Sequence, residues 1–164
     1  MTVVSDSSPL ITLARIRCFD LLPKLFGRVY ISSAVYREVV IDGAALPGAA
    51  EVSRSDWIEV RPVRNFDVAA AVVKIRLGAG EISTVVLAKE LSADLVLIDE
   101  WKARRYAHEE GLPAVGCIGI LEDSYKHGHL RDLRESYQQL IDHKARVERQ
   151  TLQRSLAKFK LRPL

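Results

Sequence analysis

The hydrophobic pattern is clearest in the segment Leu95–Ile98, where four apolar residues follow one another without interruption. Such a run predicts a strand that is buried on both faces. It ends abruptly on Asp99 and Glu100, and the segment Trp101–Ala107 then has a helical pattern. Ligands of open α/β sheets bind just outside the carboxyl ends of the strands. The pattern therefore places an acidic pair at a position suited to chemistry.

Short apolar runs alternate with segments of helical periodicity along most of the chain. This alternation indicates a parallel sheet with helices on both faces, which is an α/β fold. The segment Trp57–Val63 alternates apolar and polar residues and contains Pro62, which has no amide N–H to donate, so we expect it at a sheet edge. The predicted strands are Thr2–Ser5, Arg28–Ser32, Trp57–Val63, Leu95–Ile98 and Pro113–Gly116.

The length of 164 residues suits one domain with a sizeable core. We predict a main domain over residues 1–130 and a C-terminal helical extension over residues 131–164 that packs on the same domain. Helices are predicted in the extension at Leu133–Val147 and Thr151–Phe159. The extension carries nine Lys and Arg against four Asp and Glu, whereas residues 1–130 carry fifteen against seventeen. The basic segment is either a surface for RNA or an acidic partner, or a solvated amphipathic helix.

Several classes of protein do not fit the chain. The beginning, Met1–Asp6, lacks the basic region and the long apolar run of a secretory signal. No apolar run approaches the roughly 20 residues of a membrane span. Cys18 and Cys117 lie far apart and outside any metal-binding motif, so we expect buried thiols, with no zinc site and no disulfide. These features predict a cytoplasmic protein without a membrane partner.

Four carboxylates stand at turning points between the predicted elements. Asp6 and Asp99 end strands, Glu38 lies on the helix after the second strand, and Glu81 opens a helix. Each has an ordinary alternative. Asp6 and Asp99 could cap the helices that follow them. Glu38 could be a solvated surface residue, and Glu81 could favour the dipole of its helix. Glu100 is interpreted as a first-turn charge.

If these carboxylates meet in space, they need a cation between them. Like charges at close range raise one another's pKa values and destabilise the fold. Mg²⁺ or Mn²⁺, which prefer carboxylate oxygens and water, would remove that cost. One or two such ions activate water and stabilise an in-line displacement at phosphorus. The pattern therefore favours metal-dependent phosphodiester hydrolysis.

The acidic residues lie in four segments with a familiar order and local context: Val4–Leu10, Val35–Val39, Leu77–Glu81 and Asp94–Glu100. In these segments the chain resembles the PIN-domain nucleases, in particular the short prokaryotic PIN-like chains related to toxins of the VapBC type. The resemblance covers roughly residues 1–125. It implies a three-layer α/β/α PIN-like fold with a central parallel sheet, to which we add the extra C-terminal helices. It also implies an acidic pocket that binds Mg²⁺ or Mn²⁺ and cleaves RNA.

Carried over by position, the resemblance makes Asp6, Glu38, Glu81 and Asp99 the catalytic acids. Asp6, Glu81 and Asp99 would be the metal ligands, with Asp6 and Asp99 the firmest. Glu38 would act through water or orient a ligand.

The resemblance also suggests supporting residues. Ser7 and Thr84 would hydrogen-bond the carboxylates or bound waters, and Lys102 or Arg104 could contact a scissile phosphate. One departure concerns the last acidic motif. PIN chains often separate its two acids by one residue, whereas here they are adjacent, so Glu100 is expected to point away from the pocket.

Three functional hypotheses follow from these observations. The first is a metal-dependent ribonuclease, the toxin of a toxin–antitoxin pair, with RNA as substrate, an antitoxin protein as partner and a homodimer as the expected assembly. The second is a PIN-fold RNA-binding or protein-interaction module that is weakly active or inactive. The third is a nucleotide-binding protein, which is disfavoured because Gly78-Ala79-Gly80 lacks the Lys and Ser or Thr of a phosphate loop. Trp57 and Trp101 could stack on bases or pack in the core.

Overall fold

The centre of the fold is a parallel sheet. The computed structural model describes residues 1–64 and 66–164, and within them one sheet runs in the order β3-β2-β1-β4-β5, with every pair parallel. Val4 of β1 pairs with Tyr30 on one side and with Val96 on the other. The strands are β1 (Val3–Ser5), β2 (Val29–Ser32), β3 (Ile58–Arg61), β4 (Leu95–Leu97) and β5 (Ala114–Val115).

Helices connect the strands and continue beyond the sheet. The third helix changes its winding, because its first turn is α-helical and the following segment, Arg37–Asp42, is a π-helix. None of the helices in the described part of the chain is both long enough and apolar enough to cross a membrane. The helices are α1 (Ser7–Arg15), α2 (Leu21–Phe26), α3 (Ser33–Tyr36), α4 (Ala49–Arg54), α5 (Val68–Ile75), α6 (Ala79–Glu90), α7 (Trp101–Glu109), α8 (Cys117–Lys126), α9 (Leu133–Asp142) and α10 (Arg149–Lys158).

The sheet is covered on both faces. Successive side chains of a strand point to opposite faces, and in β1 both Val3 and Val4 are fully buried. Val3 belongs to a core cluster that includes Leu13 of α1 and Leu121 of α8. Val4 belongs to a second cluster with residues of α6 and α7, among them Ala103. The prediction of three α/β/α layers around a parallel sheet is therefore confirmed.

The strand predicted at Trp57–Val63 does form an edge of the sheet, as β3, although it is shorter than the pattern suggested. The helix predicted over Leu133–Val147 is wrong at its C-terminal end, because α9 stops at Asp142. Lys144 has a φ of 55° there, in the left-handed region. A residue in that conformation cannot continue a right-handed helix.

The strand order creates a crevice at the carboxyl edge of the sheet. From β1 the chain moves to β2 and β3 on one side, and it later returns to β4 on the other side. The gap between β1 and β4 is therefore the topological switch point, where α/β sheets bind their ligands. Asp6 directly follows β1, and Asp99 lies two residues beyond β4. Two of the predicted site residues thus flank the switch point.

The C-terminal helices share the core of the rest of the chain. Tyr137 of α9 and Leu156 of α10 are fully buried in the cluster that contains Val3. The Tyr137 hydroxyl lies 2.6 Å from Ser155 Oγ, which in turn donates to Glu122 Oε1 at 2.6 Å. The Ser155 hydroxyl has one proton and donates it to Glu122, so the Tyr137 hydroxyl donates to Ser155 Oγ. Burial raises the pKa of Tyr137 to about 12. The division of the chain at residue 130 stays a prediction.

We expect Tyr137→Phe to lower the free energy of unfolding by about 1–2 kcal/mol, because it removes a buried hydrogen-bond donor from this network. Urea unfolding followed by circular dichroism measures the change. Tyr125→Phe is the matched control, since the Tyr125 ring packs edge-on against Phe159 at 5.4 Å between centroids. Equal stability of the two variants would show that the buried network contributes nothing.

Candidate active site

Asp6 lies at the centre of the candidate site. Its backbone N–H donates to Leu97 O at 2.9 Å, which fixes the end of β1 against β4, and the residue is only 2 % exposed. Although it occupies the N-cap position of α1, its side chain makes no capping hydrogen bond to the described first turn of that helix. The interpretation of Asp6 as a helix cap is therefore wrong. Its carboxylate is left available for another partner.

Burial and three neighbouring carboxylates raise the pKa of Asp6. Burial raises the pKa of Asp6 from its ordinary value of 3.8 to about 7. The negative charges of Glu81, Glu38 and Asp99 contribute to this rise, and a hydrogen bond from the backbone N–H of Ser7 opposes it. The fold thus brings all four predicted acids into one electrostatic neighbourhood. None of the ion pairs within residues 1–64 and 66–164 involves any of the four.

Glu38 reaches this neighbourhood from the π-helical segment. π-Helical turns are rare and often occur at functional sites. The Ser7 hydroxyl donates to Glu38 Oε2 at 2.7 Å and lies 3.5 Å from Asp6 Oδ1. Glu38 is therefore a hydrogen-bonded member of the cluster and not a freely solvated surface residue. Thr84 does not donate to a carboxylate of the cluster, because its hydroxyl donates to Gly80 O at 2.8 Å.

Gly80 provides the space that the Glu38 carboxylate occupies. A Cβ on Gly80 would lie 2.6 Å from Glu38 Oε1 and 2.7 Å from Oε2, well inside van der Waals contact. The obstructing atoms are the far end of a flexible side chain, so a larger residue here would displace the carboxylate and leave the helix intact. Within Gly78-Ala79-Gly80, the absence of a side chain at Gly80 is thus a packing requirement of the Glu38 carboxylate.

We expect Gly80→Ala to reduce activity by displacing Glu38, with little change in stability because α6 gains helix propensity. Cleavage rate and melting temperature, measured on the same preparation, separate the two effects. Ala79→Ser, at the exposed neighbouring position, is the control and should retain activity. Full activity in Gly80→Ala would mean that the position of the Glu38 carboxylate does not matter.

Asp99 is held by three donors. Its Oδ1 accepts the backbone N–H of Cys117 at 2.7 Å, and its Oδ2 accepts the Ser8 hydroxyl at 3.1 Å and the Cys117 thiol at 3.2 Å. Burial and the nearby Asp99 charge raise the pKa of Cys117, which keeps the sulfur protonated as a donor. Sequence reasoning missed both Ser8 and Cys117. A signal existed for Cys117, which follows the last predicted strand at the same edge of the sheet.

Glu100 and Arg104, which lie near Asp99 in the sequence, hydrogen-bond to backbone groups. Glu100 is the N-cap of α7, where its Oε2 accepts the N–H of Ala103 at 2.9 Å. Glu100, and not Asp99, therefore caps the helix, and its carboxylate is engaged by the first turn of α7. The Arg104 guanidinium donates to the carbonyls of Ile98, at 3.2 Å, and of Asp99. Arg104 thus fixes the backbone that directly follows β4.

Glu81 both caps a helix and contributes negative charge to the acidic cluster. Its Oε2 accepts the N–H of Gly78 at 2.8 Å, which caps the first turn of α6. Its charge also raises the pKa of Asp6. The dipole interpretation and the site interpretation of Glu81 are therefore compatible.

The donor set fits a hard divalent cation by chemistry. All four groups are carboxylates, the ligands that Mg²⁺ and Mn²⁺ prefer, and the Gly80 cradle leaves room for one of them beside the others. As the side chains stand, no three His, Cys, Asp or Glu within the described residues are arranged around a single point that an ion could occupy. In this arrangement Glu38 accepts a hydrogen bond from Ser7, and Glu81 accepts one from Gly78.

Comparison with known proteins gives the family. No curated protein sequence matches the chain. The sequence model of a PIN-domain family matches residues 2–161, a range that contains the whole sheet, the four carboxylates and the helices α9 and α10. This match agrees with the resemblance found in the four acidic segments and with the three-layer fold around a parallel sheet. The chain therefore belongs to the PIN-domain family.

Proposed function

We propose that the protein is an endoribonuclease that uses Mg²⁺ or Mn²⁺ to hydrolyse RNA phosphodiester bonds at the carboxyl edge of the sheet. PIN domains are generally nucleases. The observation that carries the proposal is the grouping of four carboxylates from four separate segments around buried Asp6, at the switch point between β1 and β4. Such a grouping destabilises the fold unless a cation neutralises it.

Asp6, Glu81 and Asp99 would hold the cation, and Glu38 would orient a water molecule or a ligand. A bound Mg²⁺ or Mn²⁺ supplies an activated water and stabilises the charge that develops on the phosphate. Ser8 and the Cys117 backbone N–H fix the Asp99 carboxylate in place. The two glutamates can join by rotating away from their present donors, because each side chain has three rotatable bonds.

The second part of the proposal concerns the biological role. We propose that the ribonuclease is the toxin of a toxin–antitoxin pair, that an antitoxin protein binds it and that it forms a homodimer. The support is the resemblance of the four acidic segments to the short prokaryotic PIN-like chains related to toxins of the VapBC type. A small adjacent gene whose product blocks RNA cleavage by the purified protein would agree with this role. Cleavage that persists with every neighbouring gene product would argue against it.

A metal-titrated ribonuclease assay tests the activity. We expect no cleavage of single-stranded RNA in EDTA and concentration-dependent cleavage after addition of Mg²⁺ or Mn²⁺. Cleavage that is unaffected by EDTA would contradict metal dependence. Absence of cleavage with both ions and with varied RNAs would favour the alternative of a PIN-fold module that binds RNA or protein without hydrolysis.

A further inference from the structure

A cavity opens between the α5–α6 connection and the first turns of α7. Its volume is about 400 Å³, within the range of about 300–1,000 Å³ typical of ligand pockets. One wall is formed by Trp101, whose residue surface is 58 % exposed. The side chains that matter here are Arg76, Leu77, Trp101, Lys102, Arg105 and Tyr106.

Both walls of this cavity contain residues that lie close in sequence to acids of the candidate site. Leu77 lies four residues before Glu81, and the intervening Gly78 donates its N–H to the Glu81 carboxylate. On the other wall, Trp101 lies two residues after Asp99. The segments that carry Glu81 and Asp99 therefore continue into the two walls of this cavity.

The chemistry of the cavity combines an exposed aromatic ring with positive charge. Lys102 Nζ lies 5.9 Å from the centre of the Trp101 ring, and Arg76 adds a second cation. The one carboxylate in the lining, Glu109, is paired with Arg105 at 2.9 Å. Aromatic faces flanked by Lys and Arg bind single-stranded nucleic acid, because the bases stack while the phosphates meet the cations.

A second cavity, of about 480 Å³, has a different character. Arg61, Arg64, Leu87 and Glu90 line it together with Pro62 and Leu91, and no aromatic side chain is among them. Glu90 lies nine residues from Glu81 along α6, which is about 13 Å. None of its described lining residues lies within four residues of an acid of the cluster along the chain.

We propose that the Trp101 cavity binds an unpaired nucleotide of the RNA next to the scissile bond. Its base stacks on Trp101, and neighbouring phosphates contact Arg76 and Lys102. The inference rests on the proposed function for the identity of the polymer. It adds a substrate-binding site that favours unpaired RNA, because a base within a duplex cannot present its face to the ring.

The two tryptophans allow a site-specific test. Trp57 packs against Phe19, with 5.2 Å between ring centroids, so Trp57→Phe leaves Trp101 as the sole tryptophan without opening the surface. We expect a short oligouridylate, added in EDTA so that nothing is cleaved, to quench the emission of this variant. An oligomer of the same length with abasic sugars should quench far less. Trp101→Phe, which retains Trp57, should show no quenching.

Affinity measurements complete the test. Trp101→Ala should weaken oligouridylate binding by about fivefold to 150-fold, the loss expected for one stacked base. Trp101→Phe should recover most of the affinity, and Lys102→Gln should reduce the salt dependence, whereas Lys160→Gln should not. Unchanged affinity in Trp101→Ala, or equal quenching by the abasic oligomer, would overturn the inference and leave the cavity to a protein partner.

These outcomes are independent of the proposed function. Loss of binding in Trp101→Ala together with absent cleavage under every metal condition would refute the ribonuclease and retain the nucleotide site. Metal-dependent cleavage with full binding in Trp101→Ala would refute the nucleotide site and retain the ribonuclease.

Discussion

Asp99→Asn is expected to lower metal-dependent RNA cleavage by at least about 100-fold. Outer-sphere partners of metal ligands already contribute about 10–100-fold to activity, and Asp99 is proposed as a direct ligand. The substitution removes the negative charge but keeps the shape of the side chain. The amide oxygen can replace Oδ1 and accept the Cys117 N–H, and the amide NH₂ can replace Oδ2 and donate to the Ser8 hydroxyl. A fall in rate without a fall in melting temperature would therefore report on the charge.

Glu100→Gln is the matched control for this experiment. The two acids are adjacent, yet the Glu100 carboxylate accepts the Ala103 N–H as a helix cap, which an amide oxygen can also do. We expect the control to retain activity when it is purified and assayed in the same way. If both variants cleave RNA like the unmodified protein, the activity comes from another site or another protein. If Glu100→Gln alone is inactive, the assignment of the two acids must be exchanged.

Asp6→Asn is expected to stabilise the metal-free protein, and the gain should grow with pH. The pKa of Asp6 is about 7 in the fold and 3.8 ordinarily, so the folded state binds the proton more tightly than the unfolded chain. Stability therefore falls as the pH rises from about 4 to about 7, by up to about 4 kcal/mol. A neutral amide at this position does not ionise, so the variant does not lose stability as the pH rises.

Thermal unfolding in EDTA at several pH values measures the effect. We expect a rise in melting temperature of up to about 8–16 °C for Asp6→Asn at pH 8, and almost none at pH 4. Asp56→Asn, at an exposed position, should change little at either pH. Added Mn²⁺ should raise the melting temperature of the unmodified protein and abolish the advantage of the variant. A gain that does not depend on pH would contradict the electrostatic explanation.

The sheet could be predicted because strong local signals determine it. The continuous apolar run at Leu95–Ile98 marks a strand buried on both faces, and Pro62 marks an edge. Element boundaries depend on single residues that carry weaker signals. The end of α9 is set by the left-handed backbone conformation of Lys144. Lysine is not a residue type that predicts this conformation.

The candidate site was only partly predictable. Strand ends and local context identify Asp6 and Asp99, because topology alone brings β1 and β4 together. The contacts of Ser8 and Cys117 with Asp99 join residues 91 and 18 positions apart, and no periodicity reports them. The same holds for the cradle that Gly80 provides, since it depends on where a π-helical turn directs Glu38. These features follow from packing between elements and not from any one segment.

The central claim is that Asp6, Glu81 and Asp99 form a cation site with Glu38 beside it, and direct measurement of Mn²⁺ binding tests it most closely. Titration followed by electron paramagnetic resonance needs no RNA and is insensitive to contaminating nucleases. We expect saturable Mn²⁺ binding to the unmodified protein and to Glu100→Gln, and affinity at least about tenfold weaker in Asp6→Asn and Asp99→Asn. Equal Mn²⁺ affinity in all four proteins would contradict the claim.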